Sequence, residues 1–226
     1  MTPDFSSITP EEPLAVLVSG GLDSAVLLAL AAQRQHRVHP VYIRCGLLWE
    51  AVELYYLREF LQHLRLPSLQ PLVLLEVPVA DLYGAHWSLD GRQVPDANSP
   101  DEAVYLPGRN VLLLSKALLW CHLNNVGVLA LGTLKGNPFS DATPTFMRHL
   151  ADLVNEACQA RLRILQPLRH LDKTQVISAG QAFPLQWTFS CISPQQQRHC
   201  GRCNKCAERQ QAFARCGLPD PTEYAN

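Results

Sequence analysis

The feature that most constrains the fold is the stretch of residues 19–24, which reads Ser-Gly-Gly-Leu-Asp-Ser. An apolar run at residues 14–18 precedes it and is typical of a buried parallel strand. Residues 24–34 are rich in strong helix formers and predict a helix that is capped near Asp23 or Ser24. Glycines let a backbone approach a phosphate closely, and a helix N-terminus offers free N–H groups. We therefore expect an anion-binding loop between the first strand and the first helix.

This loop differs from the two best-known phosphate loops. It lacks the lysine and the spacing of G-x-x-x-x-G-K-[ST], and it lacks the G-x-G-x-x-G of a dinucleotide fold. The alternative is an ordinary strand–helix turn, but such turns rarely carry two glycines flanked by serine, aspartate and serine. The pattern therefore favours phosphate binding.

The rest of the chain alternates strand and helix, which predicts an α/β fold with a parallel sheet and helices on both faces. Further strands are predicted at residues 38–43, 71–77, 126–131 and 162–166, and further helices at 49–64, 107–123, 145–160 and 172–180. Residues 78–106 interrupt the alternation and predict a functional or mobile loop. We divide the chain into an α/β domain, residues 1–183, and a C-terminal segment, residues 184–226.

The composition indicates a compact globular protein, with 226 residues, 47% hydrophobic and 17% charged. The formal net charge of −1 gives no global basic field, so we do not expect DNA binding. Residues 1–13 lack the pattern of a signal peptide, and no apolar run is long enough to span a bilayer. We expect a cytoplasmic protein with no membrane partner. Because disulfides are rare there, the eight cysteines are expected to be buried thiols or metal ligands.

Four cysteines cluster near the C-terminus with the spacing C-x8-C-x2-C-x2-C: Cys191, Cys200, Cys203 and Cys206. Four thiolates complete a tetrahedral Zn²⁺ shell, which is the arrangement of a closed structural site. An iron–sulfur cluster is the main alternative, but nothing after Cys206 matches the ferredoxin run C-x2-C-x2-C-x3-C-P. Unligated buried thiols are a second alternative, which the clustering disfavours. We therefore expect Zn²⁺.

The neighbouring histidine and the isolated cysteines are given structural interpretations. We expect His199 at the surface, because four cysteines already complete the metal shell. Cys121 and Cys158 fall in predicted helices and are expected to be small core residues. Cys45 lies at a strand end that faces the expected site, where a catalytic role is the less favoured alternative.

Residues 19–24 match the pyrophosphate loop of the N-type ATP pyrophosphatases, in which ATP is cleaved between its α and β phosphates. Together with the cysteine cluster, the loop resembles that of the 7-cyano-7-deazaguanine synthase (QueC) family. Leu-Pro-Gly-Arg-Asn at residues 106–110 is similar to the family's Val-Pro-Gly-Arg-Asn, and residues 167–173 are similar to its Pro-Leu-x-x-x-x-Lys. Phe-Ser-Cys at 189–191 and Cys-Gly-Arg-Cys at 200–203 extend the resemblance over nearly the whole chain.

The resemblance implies a Rossmann-like fold of the adenine nucleotide alpha hydrolase type and an ATP-dependent ligase that forms carbon–nitrogen bonds. ATP adenylates the carboxylate of 7-carboxy-7-deazaguanine, ammonia attacks, and an amide forms. A second adenylation then activates the amide oxygen, and loss of AMP leaves a nitrile for queuosine or related deazapurine biosynthesis. The implied cofactors are ATP, Mg²⁺ and Zn²⁺. For the assembly we consider a homodimer.

The resemblance also implies a set of site residues. The expected ATP-binding residues are Leu17, Val18, Ser19, Gly20, Gly21, Leu22, Asp23, Ser24 and Gly132, and the expected acceptor-binding residues are Arg109, Asn110, Lys135 and Asp141. Arg109 and Lys173 are expected to be catalytic cations, with solvated surface cations as the alternative. Asp23 is expected either to hold Mg²⁺ on the pyrophosphate or to cap the helix.

Two segments on the acceptor side depart from the family pattern. Residues 44–49 read Arg-Cys-Gly-Leu-Leu-Trp where the family usually has Asp-Tyr-Gly-Gln-x-His, and residues 135–144 lack its Cys-Arg pair, with Asp141 in place of its second aspartate. The alternatives are therefore a ligase that acts on another carboxylate or transfers a deazapurine group, a tRNA-thiolating enzyme, and a non-catalytic nucleotide-binding regulator. The near-neutral charge counts against the tRNA enzyme. The intact loop and Lys173 count against the regulator.

Overall fold

The structure is a computed structural model that describes residues 2–225. Within them, one sheet of five parallel strands forms the centre of the fold. The strands are β1 (Leu14–Leu17), β2 (Val38–Arg44), β3 (Val73–Glu76), β4 (Val128–Ala130) and β5 (Arg163–Leu165), in the spatial order β3-β2-β1-β4-β5. The chain winds from β1 through β2 to β3, then crosses to β4 on the other side of β1. The crevice between β1 and β4 is therefore the topological switch point of the sheet, where ligands bind in open α/β folds.

In the described part of the chain, eight α-helices connect and cover these strands: α1 (Leu22–Arg34), α2 (Glu50–Leu64), α3 (Ala80–Tyr83), α4 (Trp87–Asp90), α5 (Arg109–Leu123), α6 (Pro144–Cys158), α7 (Lys173–Gly180) and α8 (Asn204–Cys216). The predicted strands and helices are all present, with ends that differ by at most two residues. Helix α8 adds a regular element to the C-terminal segment, and residues 78–106 contain the short helices α3 and α4 and a 3₁₀ turn at Asp101–Val104.

The starts of two helices differ from the sequence-based expectation. Helix α1 is not capped by Asp23 or Ser24: its N-cap is Gly21, in an extended conformation and without a side-chain hydrogen bond. Helix α5 begins after Gly108, whose φ of +70° lies in the left-handed region that favours glycine. Pro107 therefore belongs to the preceding turn, and Arg109 becomes the first residue of the helix.

Alternation along β1 assigns its side chains to two core layers, which confirms the prediction of helices on both faces. Leu14 and Val16 join one layer with residues of α1, α7 and α8. Ala15 joins the other layer with residues of α5 and α6. All three side chains are fully buried. Because both faces of the sheet are covered, its strands read as continuous apolar runs in the sequence.

Helix α7 packs unusually closely on α1. A Cβ atom at Gly180 would overlap a methyl group of Val26, so glycine is required where the two helices meet. This packing places Lys173, the first residue of α7, beside Asp23 in the first turn of α1. The packing of α7 on α1 therefore fixes the contact between Lys173 and Asp23 in the candidate site.

None of the helices within residues 2–225 combines the length and the apolar character that a membrane crossing needs.

Candidate active site

Two adjoining cavities, of about 350 and 560 Å³, lie beside the C-terminal ends of β1 and β4. Both are lined by the loop after β1, by Gly132 in the segment after β4, and by residues of α2 and α5. Six of the shared residues are Ser19, Gly21, Asp23, Glu53, Arg109 and Gly132. The cavities therefore occupy the switch point of the sheet, where the motif at residues 19–24 was expected to act.

The loop at residues 19–24 is fixed by its own hydroxyl groups. The Ser19 N–H donates to Ser24 Oγ at 3.2 Å, and Ser24 Oγ donates to the Gly21 carbonyl at 3.0 Å. The Gly21 N–H donates to Ser19 Oγ at 3.3 Å. The first-turn N–H groups of α1 receive no side-chain cap from Gly21. They remain available to an anion at the start of the helix.

Two glycines permit the close packing around this loop. Gly20 has a φ of +72°, and a Cβ there would lie 2.9 Å from the Glu53 carbonyl oxygen. A Cβ at Gly132 would lie 3.2 Å from the backbone N of Ser24. The segment after β4 therefore approaches the start of α1 directly at Gly132. The nucleotide contact that the resemblance implies for Gly132 stays a prediction.

Asp23 and Lys173 form an ion pair at the edge of the cavities. Lys173 Nζ lies 2.6 Å from Asp23 Oδ2 and 2.9 Å from Glu208 Oε1. Burial alone would lower the pKa of Lys173, but the two carboxylates outweigh it and the pKa is raised. Lys173 is therefore an ammonium ion.

The second carboxylate oxygen of Asp23 has no partner. Oδ1 is buried, and no donor within the described residues 2–225 reaches it. Because Asp23 does not cap α1, the helix-capping alternative is not supported. A buried carboxylate oxygen beside uncapped helix N–H groups fits a hard divalent cation such as Mg²⁺.

Helix α8 contributes charged residues that the sequence did not predict for the site, among them Lys205 and Glu208. Glu208 bridges Lys173 and Lys205, with Oε2 2.8 Å from Lys205 Nζ. Burial raises the pKa of Glu208, but the two ammonium groups outweigh that effect and lower it to about 2. Both residues lie in the cysteine-rich segment and belong to no recognisable nucleotide motif, so only the tertiary packing of α8 on α7 brings them to the cavity.

Arg109 and Glu53 line both cavities from α5 and α2. Arg109 Nε is buried, and within the part of the chain that is described it has no hydrogen-bond partner. Glu53 is buried and accepts a hydrogen bond from the Tyr42 hydroxyl at 2.7 Å. Burial raises the pKa of Glu53 to about 7, although the Tyr42 hydrogen bond and the Arg109 charge oppose the rise. The sequence analysis missed Glu53, although an acidic residue on the apolar face of a helix is a signal.

The other residues expected on the acceptor side also line the cavities. Asn110 Nδ2 donates to both the carbonyl oxygen and Oδ1 of Asp141, each at 3.2 Å. These two residues line the smaller cavity, and Lys135 lines the larger one. Of the expected loop residues, Gly20 alone lines neither cavity. The nucleotide-binding and acceptor-binding roles expected for these residues remain predictions.

The four clustered cysteines converge on one point that could hold a metal ion. Their sulfur atoms all lie within 4.8 Å of one another, and all four side chains are buried. The Sγ–Sγ distances are 3.9 Å for Cys191 and Cys203, and 4.0 Å for Cys200 and Cys206. A tetrahedron with metal–sulfur bonds of about 2.3 Å has edges of about 3.8 Å, so the arrangement fits tetrahedral thiolate ligation.

The surface position expected for His199 is wrong. Its side chain is only 1% exposed and packs against Phe189 with a ring-centroid distance of 4.5 Å. Nε2 accepts a hydrogen bond from the Ser190 N–H, and burial lowers the pKa of His199 to about 3. The imidazole is therefore neutral. The backbone at His199 forms a parallel bridge with the backbone at Tyr224, whose ring also contacts the histidine. Nothing local in the sequence indicates that pairing.

The isolated cysteines mostly behave as expected. Cys121 is fully buried in the core, and Cys158 is half-buried at the end of α6. Cys45 does follow β2, but it is buried, and burial raises the pKa of its thiol. A protonated thiol is a poor nucleophile, which favours the structural interpretation of Cys45.

Comparisons with known proteins agree with this geometry. A family model described as "Queuosine biosynthesis protein QueC" matches residues 14–217. The 7-cyano-7-deazaguanine synthase of Xanthomonas campestris pv. campestris strain B100 is 32% identical over 224 residues, which cover 93% of this chain and 96% of that protein. The corresponding protein of Xanthomonas oryzae pv. oryzae strain PXO99A is also 32% identical, over 223 residues and the same shares.

A solved structure shares the fold. It is described as a 4-thiouridine synthetase–RNA complex with bound ATP, has a TM-score of 0.50 and 19% identity, and covers 91% of this chain and 51% of that one. The resemblance inferred from the glycine loop and the cysteine cluster is confirmed by the family match and the curated relatives. The chain belongs to the QueC family.

Proposed function

We propose that this protein is an ATP-dependent 7-cyano-7-deazaguanine synthase, which converts 7-carboxy-7-deazaguanine and ammonia to the nitrile. The observation that carries the proposal is the uncapped glycine loop at the switch point, which opens onto cavities lined by Arg109 and Lys173. The curated relatives bear the same name.

The loop would hold the β and γ phosphates of ATP. Backbone N–H groups at the start of α1 would bind them, and Lys173 would add positive charge. Asp23 Oδ1 would hold Mg²⁺, which supplies charge neutralisation for the pyrophosphate. The α phosphate would then face the open part of the cavities, where the acceptor lies.

Each adenylation would convert an acceptor oxygen from a poor leaving group into a good one. A carboxylate oxygen attacks the α phosphorus, the bond to the β phosphate oxygen breaks, and pyrophosphate leaves. Ammonia then attacks the acyl carbon, AMP leaves and an amide forms; adenylation of the amide oxygen and loss of AMP give the nitrile. Arg109, whose buried Nε has no hydrogen-bond partner among the described residues, can donate to the negative charge that develops.

A second candidate is a related ligase with another carboxylate as acceptor. Trp49 stands at the position where the family usually has histidine, and it lines the larger cavity together with Trp87. The two rings stack with centroids 5.7 Å apart. This aromatic wall is an observation that favours a changed acceptor site.

For the cysteine cluster we propose a structural Zn²⁺, in a chain whose eight cysteines are all unpaired, as in the reducing cytoplasm. We also propose residues 184–226 as a metal-bearing segment that supports the site. The Phe189 N–H donates to the Gly20 carbonyl at 2.8 Å, and α8 supplies Lys205 and Glu208 to the cavity. Zinc would thereby help to position the glycine loop.

The first test is turnover. With ATP, Mg²⁺, ammonia and 7-carboxy-7-deazaguanine, we expect AMP and the nitrile to form together, measured by chromatography and mass spectrometry. AMP without nitrile would reject the proposed acceptor and favour the related ligase. Absence of AMP with every carboxylate tried would contradict ATP-dependent ligation.

The second test concerns the ion pair beside the loop. We expect Lys173→Ala and Asp23→Ala each to slow AMP release at least about 100-fold, because each removes charge that organises the pyrophosphate. Lys116→Ala and Asp152→Ala, at exposed positions on α5 and α6, are the matched controls and should retain wild-type rates. Wild-type turnover in both ion-pair variants would contradict the assignment of Lys173 and Asp23 to pyrophosphate binding.

The third test concerns the metal. We expect about one zinc per chain by elemental analysis, lost in Cys203→Ser together with thermal stability. Cys158→Ser removes a half-buried thiol outside the cluster and should keep its zinc. Iron with acid-labile sulfide, or full zinc content in Cys203→Ser, would contradict the assignment.

A further inference from the structure

Glu53 is a buried carboxylate to which the proposed function gives no task. It lies on α2 as a residue that is only 8% exposed, and it forms part of the wall that the two cavities share. The Tyr42 hydroxyl donates to Oε2 at 2.7 Å. No other hydrogen bond to this carboxylate, and no ion pair within 4.0 Å, occurs among residues 2–225.

The other acidic residues that line the cavities already have partners. Asp23 and Glu208 pair with Lys173, Asp141 accepts from Asn110, and Asp101 lies 4.0 Å from Lys205. Asp23 Oδ1, which has no partner within residues 2–225, is the oxygen proposed to hold Mg²⁺. Glu53, whose carboxylate accepts a hydrogen bond from Tyr42 alone among the described residues, is therefore the acidic side chain of the cavity wall that remains available to ammonium from solution.

The proposed reaction needs such a group. Ammonia in neutral solution is almost entirely ammonium, which has no lone pair and cannot attack an acyl carbon. A buried carboxylate attracts this cation, and a base whose pKa lies near the working pH can remove its proton. The inference below rests on the proposed function, because only a reaction that consumes ammonia has this requirement.

We propose that Glu53 is the ammonium-binding group and general base of this enzyme. Its carboxylate binds ammonium at the cavity wall and takes one proton, and the ammonia released attacks the acyl adenylate. Tyr42 holds the carboxylate in place through its hydrogen bond to Oε2. The Glu53 backbone borders Gly20, so the base lies next to the loop at which adenylation occurs.

The proton and electron balance of the step is complete. The nitrogen lone pair forms the carbon–nitrogen bond, the carbon–oxygen bond to AMP breaks, and its electron pair leaves with AMP. Ammonium loses two protons on the way to the amide: the first goes to Glu53, and the second goes to solvent once the carbon–nitrogen bond has formed. Glu53 returns its proton to solvent before the next ammonium binds.

The charges around Glu53 suit the transfer of a proton from ammonium to its carboxylate. Burial raises the pKa of Glu53 to about 7, and Glu50, one turn away on α2, also raises it. The Tyr42 hydrogen bond from β2 and the Arg109 charge from α5 lower the pKa. Near neutral pH the carboxylate is therefore ionised in a large fraction of molecules and still basic enough to accept a proton.

The main experiment compares Glu53→Gln with the wild type. We expect kcat/KM for ammonia to fall about 10²- to 10⁴-fold, because proton removal by a positioned base is lost. Adenylation, measured as exchange of labelled pyrophosphate into ATP without ammonia, should stay within about twofold. Hydroxylamine, which is neutral at pH 7, should still trap the acyl adenylate as hydroxamate. Glu59→Gln, on the same helix and outside both cavities, is the matched control and should behave as wild type.

A second variant tests the base without removing it. The Tyr42 hydroxyl lowers the pKa of Glu53, so Tyr42→Phe should raise that pKa. The ammonia-dependent rate requires the ionised carboxylate and falls as pH drops through its pKa. We therefore expect the acid limb of the kcat/KM profile to move to higher pH in Tyr42→Phe. This profile also tests the inference if Glu53→Gln fails to fold, as judged by circular dichroism.

Several outcomes would overturn the inference. Unchanged kinetics with ammonia in Glu53→Gln, or a raised KM for 7-carboxy-7-deazaguanine alone, would assign Glu53 to structure or to acceptor recognition. Loss of pyrophosphate exchange would assign it to the nucleotide. An acid limb that Tyr42→Phe leaves in place would exclude Glu53 as the titrating group. Failure of the wild type to form amide or nitrile would instead reject the proposed function itself, and the inference with it.

Discussion

The close enclosure of the Gly20 backbone is the constraint on which the rest of the site depends. Its left-handed φ and the nearby Glu53 carbonyl leave no room for a side chain, and its own carbonyl accepts a hydrogen bond from the Phe189 N–H. Helix α2 and the cysteine segment therefore both meet at this one residue. Because the loop is held from two sides, α1 starts at a fixed place, with its uncapped N–H groups at the switch point.

Charge is arranged around this fixed loop as an alternating chain. Asp23, Lys173, Glu208 and Lys205 follow one another across α1, α7 and α8, with successive contacts of 2.6, 2.9 and 2.8 Å. Such partly exposed pairs add about 0–1 kcal/mol each to stability. We therefore propose that they serve mainly to place the ammonium groups of Lys173 and Lys205 at the cavity wall. This row of alternating charges also connects the cysteine segment to the candidate site, because Lys205 and Glu208 both belong to α8.

Local patterns in the sequence predicted the parts of the fold that depend on local chemistry. The apolar runs, the glycine loop and the cysteine spacing each predicted an element or a cluster that the structure contains. The two helix starts that differ from expectation are local, because Gly21 and Gly108 provide the N-caps of α1 and α5. The misplaced or missed side chains share another cause, which is contact between residues distant in sequence. His199 is buried by the pairing with Tyr224, and Lys205 reaches the cavity because α8 packs on α7. The pKa of Glu53 is raised because tertiary packing buries its carboxyl group.

The central claim is that the loop presents the α phosphate of ATP to an oxygen of the acceptor. Acceptor carboxylate enriched in ¹⁸O measures this directly, because attack at the α phosphorus and later departure of AMP leave one acceptor oxygen on each AMP. We predict AMP that carries one ¹⁸O atom, detected by mass spectrometry. Label in inorganic phosphate, which would mean attack at the γ phosphorus, or AMP without label, would contradict the claim.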